Sequence, residues 1–181
     1  AIHPYNRAVR FTENLPVVVV VLFLVCTFNK RKFSNSSYFL MSFWIILHTI
    51  GGHYTFELVP FESINQLFGW ARNMYDRIAH FMIGVYAFPI MEYLWRSKAI
   101  QQKWLLYTFG ICSILAIAGA YEIFEGRFAI IADPKAGLAV LGSQGDIRDA
   151  QKDMLMDTLG AILAIFLFII REIFINRKKT D

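Results

Sequence analysis

Charge and cysteine are what this 181-residue chain has least of. Asp, Glu, Lys and Arg together make up 18% of it, against about 25% in an ordinary globular chain, so a surface wetted on all sides is excluded. The two cysteines, Cys26 and Cys112, lie inside apolar runs. They exclude a disulfide scaffold and read as small buried side chains, silent about redox compartment. The chain has no heptad or glycine repeat, which removes coiled coil and collagen, and its 17 Phe argue against disorder. A net charge of +4, scattered along the chain, is too small for a nucleic-acid footprint. Also missing are G-x-S-x-G, a Walker loop, H-E-x-x-H and a Rossmann fingerprint. What the chain does have is 56% hydrophobic and 16% aromatic residues, with a mean hydropathy of +0.45. The reading that remains is an integral membrane protein.

A bilayer core of about 30 Å needs roughly 20 apolar residues per helix, and five stretches meet or approach that. They fall at about 12–29, 37–57, 76–95, 104–125 and 149–171. None shows the polar/apolar alternation of a barrel strand, so the expected fold is an all-α polytopic bundle forming one transmembrane domain over 1–181. In the first stretch, Thr12, Glu13 and Asn14 look like a capped start, with Pro16 in the first turn, where its missing N–H is harmless. A signal peptide fits poorly there, because Glu13 interrupts the basic region and Lys30, Arg31 and Lys32 follow in place of a cleavage site. Val25 likewise argues against a lipidated Cys26. The chain starts at Ala1 without Met, so a further upstream span is compatible with it.

Lys30, Arg31 and Lys32 follow span one; Arg96, Lys98 and Lys103 follow span three; Arg171, Arg177, Lys178 and Lys179 follow span five. In a five-span chain these segments share one side, and the bias of short basic loops puts that side and the C-terminus in the cytoplasm. His, Asp and Glu played no part in that assignment, yet they sort by it. His48 and His53 fall in the outer half of span two, His80 one turn into span three, and Glu122 and Glu125 at the outer end of span four. Asp146, Asp149, Asp153 and Asp157 mark the entry of span five. The inner half has few acids; Glu92 and Glu172 lie near helix ends, where a flanking charge reaches the headgroups.

Ionisable groups at membrane depth are costly and mark interior sites. At 3.6 residues per turn, Asp149, Asp153 and Asp157 form one stripe, and Glu122 and Glu125 share a face. Such a stripe repels itself unless a cation sits within it. Arg77, Arg127, Arg148 and Lys152 are available, and so is a bound metal. Gly51, Gly52, Gly119, Gly126 and Gly160 fall near the same layer and suit close helix approach. The candidate metal ligands are therefore His48, His53, His80, Glu122, Glu125, Asp149, Asp153 and Asp157. Tyr75, Asp76, Arg77, Arg127, Asp146, Arg148 and Gln151 supply support or charge balance. Simpler roles compete with these assignments. Asp76, Asp146 and Asp149 also suit helix N-termini, and His48 suits a packing histidine bonded to a backbone carbonyl. Glu57, Glu62 and Asp133 read as solvated loop acids. Asp153 and Asp157 lie beyond the cap region, where an unpartnered carboxylate costs several kcal/mol.

Mixed imidazole and carboxylate donors accept Zn, Mn or Fe without distinguishing them. A divalent metal with an open position activates water for attack on a phosphoryl or acyl group, which makes a lipid-linked or periplasmic substrate natural, in contact with membrane lipid. A proton- or ion-coupled transporter uses the same residue types. Against it, no polar trail descends to the inner side; Pro89 offers a kink in span three. A buried polar network that locks the helices together is the third reading.

The strings HTIGGHY, YDRIAHF and YEIFE, followed by GSQGDIRDAQKDM, resemble the YjdF type of bacterial inner-membrane protein across spans two to five. More distantly, Asp76, Arg77 and His80, then Glu122, then Asp153, Asp157 and Gly160 are similar to the VanZ-like pattern. Asp157 stands where that pattern has Asn, and Glu125 where it has Gln. Both departures add negative charge and favour a metal. The resemblance implies a bacterial inner membrane and supplies no reaction.

Overall fold

The computed structural model describes residues 3–132 and 134–177, apart from the side chain of residue 176. Asp133, Lys178 and Lys179 lie outside the described residues. Within them the only regular structure is helix, and the all-α class holds.

Helix α1 spans Arg7–Thr27 and begins ahead of the expected Thr12. Asn6 is the reason, because its side-chain oxygen accepts from the N–H of Ala8 at 2.8 Å and of Val9 at 3.2 Å, satisfying two otherwise orphaned donors. Pro16 therefore lies inside the helix rather than in its first turn. This earlier start makes Glu13 a mid-helix residue, 1% exposed and facing the bundle.

Helix α2 spans Asn35–Tyr54, with Ser34 as its N-cap. It stops at Thr55, in the left-handed conformation, and a 3-10 turn over Phe56–Leu58 and helix α3, Glu62–Phe68, follow. Helices α4, Tyr75–Gly84, and α5, Ala87–Arg96, together form one apolar crossing of 22 residues. The break at Val85 and Tyr86 is the kink that Pro89 imposes. Proline has no N–H for the Val85 carbonyl four residues back, and the Phe88 N–H bonds it instead at 3.0 Å. Helix α6 spans Lys103–Ile131, α7 Pro134–Leu141 and α8 Asp149–Arg177.

Four of these segments are long and apolar enough to cross a membrane: Arg7–Thr27, Tyr75–Arg96, Lys103–Ile131 and Asp149–Ile175. Helix α2 has 20 residues and no Asp, Glu, Lys or Arg, but its serines, histidines and glycines dilute its hydropathy. It packs between α1 and α4, so about five crossings are consistent with the structure. Large apolar side chains face outward, among them Val19 at 58%, Phe23 at 57% and Phe166 at 59% exposed. Exposure on that scale suits lipid and would be a liability in water.

The closest helix pair is α4 and α8, which cross at Gly84 and Gly160. A Cβ on Gly84 would lie 2.1 Å from the Asp157 carbonyl oxygen, and one on Gly160 would lie 2.0 Å from that of Phe81. Only glycine permits this approach, and it brings the His80 turn of α4 against the Asp157 turn of α8. Gly51 and Gly52 also sit in close contacts, against Phe56 and against Glu13 with Asn14. Gly119 and Gly126, expected at packing faces, instead border open space. Toward the other end Phe88, Met91, Leu106 and Phe168 form the apolar core.

Alternation of the helices collects the basic segments at one end and most of the acids at the other. Glu92, expected to reach toward the headgroups, is instead enclosed at the basic end, 1% exposed. Its carboxylate accepts from the N–H of Ser34 at 3.2 Å, from Ser34 Oγ at 3.0 Å and from Ser37 Oγ in a short contact. Arg171 and Arg96 donate to its other oxygen at 3.1 and 3.4 Å. Ser34, the cap of α2, is thus also a donor that holds Glu92 inside, together with Ser37 of the first turn.

Candidate functional site

The carboxylate end is built mainly on the α4 and α8 faces that the glycine crossing brings together. Asp76 and His80 lie one turn apart on α4, and Asp149, Asp153 and Asp157 at one-turn steps on α8. Two adjoining layers result. In the outer one the Arg77 guanidinium, 4% exposed, makes short ion pairs with Asp149 and Asp153 and donates to the Asp149 carbonyl at 3.1 Å. Arg72 adds a second cation, 2.9 Å from Asp149 Oδ1 and 3.5 Å from Asp146 Oδ2. Asp146 also accepts from Lys152 at 2.5 Å, and its Oδ1 from the Arg148 N–H at 3.0 Å. These contacts, the Lys152 hydrogen bond first, hold the Asp146 carboxyl below its ordinary value of 3.8.

The deeper layer centres on His80. Its Nδ1 lies 3.2 Å from Asp157 Oδ2, and its Nε2 faces Asp76 Oδ1 at 3.8 Å and Asp153 Oδ1 at 3.9 Å. One donor atom from each of Asp76, His80 and Asp153 lies within 4.8 Å of the other two. This donor set fits a borderline divalent cation. The geometry around the imidazole matches a ligating histidine, with one nitrogen toward the other donors and the second fixed by a carboxylate. Asp157 is fully buried, yet its Oδ1 has no hydrogen-bond partner.

Below His80 lies a cavity of about 180 Å³. Asp76, His80, Asp157, Glu125, Tyr121 and His48 border its polar end, whereas Ile83, Tyr86, Ile90, Ile114 and Trp44 wall the remainder. Glu125 is 8% exposed, and Glu122, one turn before it on α6, keeps a buried oxygen without a hydrogen bond. His48 bonds through Nε2 to the Glu13 carbonyl at 2.8 Å and packs against Trp44 and Phe56.

Of the residues that the sequence singled out, Asp76, His80, Asp153 and Asp157 come together. Asp146, Asp149 and Arg77 form the ion-paired layer beside them with Arg72, whereas Arg148 is exposed and contributes only its backbone N–H to Asp146. Glu122 and Glu125 lie on α6, with Glu125 bordering the cavity. His53 lies apart at the end of α2, its ring 4.7 Å from that of Tyr54. Tyr75 donates its hydroxyl to the Leu47 carbonyl at 2.8 Å, while Arg127 and Gln151 are exposed on the helix surfaces. Sequence reasoning missed Glu13 and Tyr121, joined by a 2.8 Å hydrogen bond from the tyrosine hydroxyl to Glu13 Oε2. It also missed Arg72 and Gly84. The cap at Asn6 was the signal that would have turned Glu13 inward.

Fold and site together define a polytopic α-helical membrane protein with a buried imidazole and carboxylate centre at one end. The chain belongs to the family described as "Predicted membrane protein (DUF2238)", whose model matches residues 1–173. It is 32% identical over 167 residues to inner membrane protein YjdF of Escherichia coli (strain K12), covering 91% of this chain and 79% of that protein. No solved structure matches it.

Proposed function

We propose that the protein resides in a bacterial inner membrane, C-terminus in the cytoplasm, and binds a divalent cation at its carboxylate end to act on a lipid or envelope-derived substrate. The relative's name supports the location, and the gathering of basic segments at one end supports the orientation. The observation that carries the metal reading is the convergence of Asp76, His80 and Asp153 donor atoms within 4.8 Å of one another. Asp157 would orient His80, and Arg77 would keep Asp149 and Asp153 from repelling each other. A cation held there supplies Lewis-acid polarisation and activation of water for attack on a phosphoryl or acyl group. The adjoining cavity gives an apolar substrate a place beside it.

Gradient-driven transport finds less support, since the cavity continues from Asp157 between Ile83, Ile90 and Ile114, with no acid or histidine among the residues walling that stretch. Elemental analysis of detergent-purified protein is the test. Wild type is expected to carry close to one divalent metal per chain, and His80→Ala and Asp153→Ala at least tenfold less. Metal-free wild type, unchanged by either substitution, overturns the reading. Lost stability in the variants without loss of metal or turnover would point to a structural network instead.

A further inference from the structure

We infer that the cavity is a slot for one linear hydrocarbon chain of a membrane lipid, entered from the bilayer between α1 and α6. It rests on the proposed function only for what happens at its polar end, because the slot is defined by the helices alone. Helices α1 and α6 both line the cavity, through Pro16 and Val20 on one and Ile114, Ile117 and Ala118 on the other. Yet α1 packs mainly on α2 and α7, and α6 on α5, α7 and α8, so that α1 and α6 meet only weakly. At the carboxylate end their seam is covered. There α7 bridges them, with Val140 against Val9, and the Tyr121 hydroxyl reaches Glu13. Farther toward the basic end it is lined by side chains alone. Ile117 faces the cavity and is also 51% exposed on the outer surface, so this wall is one side chain thick and borders lipid.

Shape narrows the occupant. The lining runs from Asp76 to Ile90 on α4 and α5, and from Glu125 to Ile114 on α6. At 1.5 Å per residue these stretches cover roughly 16–21 Å along the bundle. A volume of about 180 Å³ drawn out over that length is a slot one chain wide, too slender for a fused-ring molecule. Its axis follows the crossing helices, as an acyl chain in the adjoining leaflet does. The polar end meets the chain where a headgroup begins, and the unpartnered Asp157 Oδ1 lies there. A cation in the neighbouring donors would offset the repulsion of a phosphate-bearing head by Asp76, Asp157 and Glu125, while the hydrocarbon chain occupies the slot with or without it.

The test is photolabelling in nanodiscs that contain phosphatidylethanolamine with a diazirine on one acyl chain. Labels are expected inside the slot on Val20, Ile90 or Ile114, in addition to the outward residues Val19, Phe23 and Ile117. Ala118→Trp, which fills the slot, is expected to lower the inner labels at least fivefold, leaving the outward labels and the metal content unchanged. Ile90→Phe is the milder second variant should Ala118→Trp fail to fold, with a loss of at least twofold. Labels confined to outward faces in wild type, or inner labels that neither variant reduces, overturn the proposal. Labelled protein without metal would leave the slot standing and remove the metal reading; metal without inner labels would do the reverse.

Discussion

At the basic end Glu92 is buried and surrounded by donors: Ser34, Ser37, Arg96 and Arg171 serve its two oxygens. At the opposite end Asp157 is equally buried, yet one oxygen has no hydrogen bond, and Glu13 and Glu122 share that condition. Both groups sit in the same bundle, so depth alone does not separate them. Satisfaction does. A carboxylate with complete partners holds helices together and has nothing left to offer a ligand, whereas orphaned oxygens beside a cavity keep their bonding capacity. Apolar walls around the second group raise the cost of leaving it unmet.

Substitutions at the two ends should therefore fail in different ways. The largest loss of stability is expected from Glu92→Ala, which takes the buried acceptor from Ser34, Ser37 and Arg171: about 3 kcal/mol, read as a lower unfolding temperature in detergent, with bound metal unaltered. Gly160→Ala comes next, because its methyl group meets the Phe81 carbonyl. Overpacking of this kind costs about 1–3 kcal/mol, and because it separates His80 from Asp157, metal content should fall with it. Asp157→Asn should shift stability by no more than about 1 kcal/mol while metal affinity, measured by competition with a chelator, drops about 10–100-fold. A stability loss there as large as that of Glu92→Ala would erase the distinction between the two ends.

The smallest effect concerns pH. The Asp146 carboxyl lies below its ordinary value of 3.8 in the folded chain. Its contribution is therefore complete above that pH and lost as pH falls through the lower folded value. Asp146→Asn should lower the neutral plateau of an unfolding-against-pH curve slightly and make its acid limb shallower below about pH 4, so that the two curves converge in acid.

Much of the carboxylate end was legible because helical spacing is strict: Asp149, Asp153 and Asp157 had to share a face, and Asp76 and His80 likewise. The role of each along that face was not legible. Spacing does not say that Asp149 meets two arginines while Asp157 meets one imidazole, since that depends on which helix crosses and at what height. The Gly84–Gly160 contact sets both, and Gly84 has no neighbour in sequence that marks it. Tyr121 lies one turn before Glu125 on α6, so its face was marked, but spacing did not show that its hydroxyl meets Glu13 on another helix. Glu13 was misplaced for a local reason, the choice of Thr12 over Asn6 as the start of α1. Glu92 was misread because a position near a helix end was equated with access to the headgroups.

The pairing of Arg77 with α8 also governs the order in which the chain is built. Its partner Asp149 lies 72 residues later, and chains grow at about 5–20 residues per second. Arg77 thus enters the membrane several seconds before its counter-charges are synthesised. Through that interval α4 carries Arg77 without its partners on α8, and α8 supplies them when it docks at the glycine crossing. A chain truncated before Asp149 would leave Arg77 without either of its ion pairs to α8.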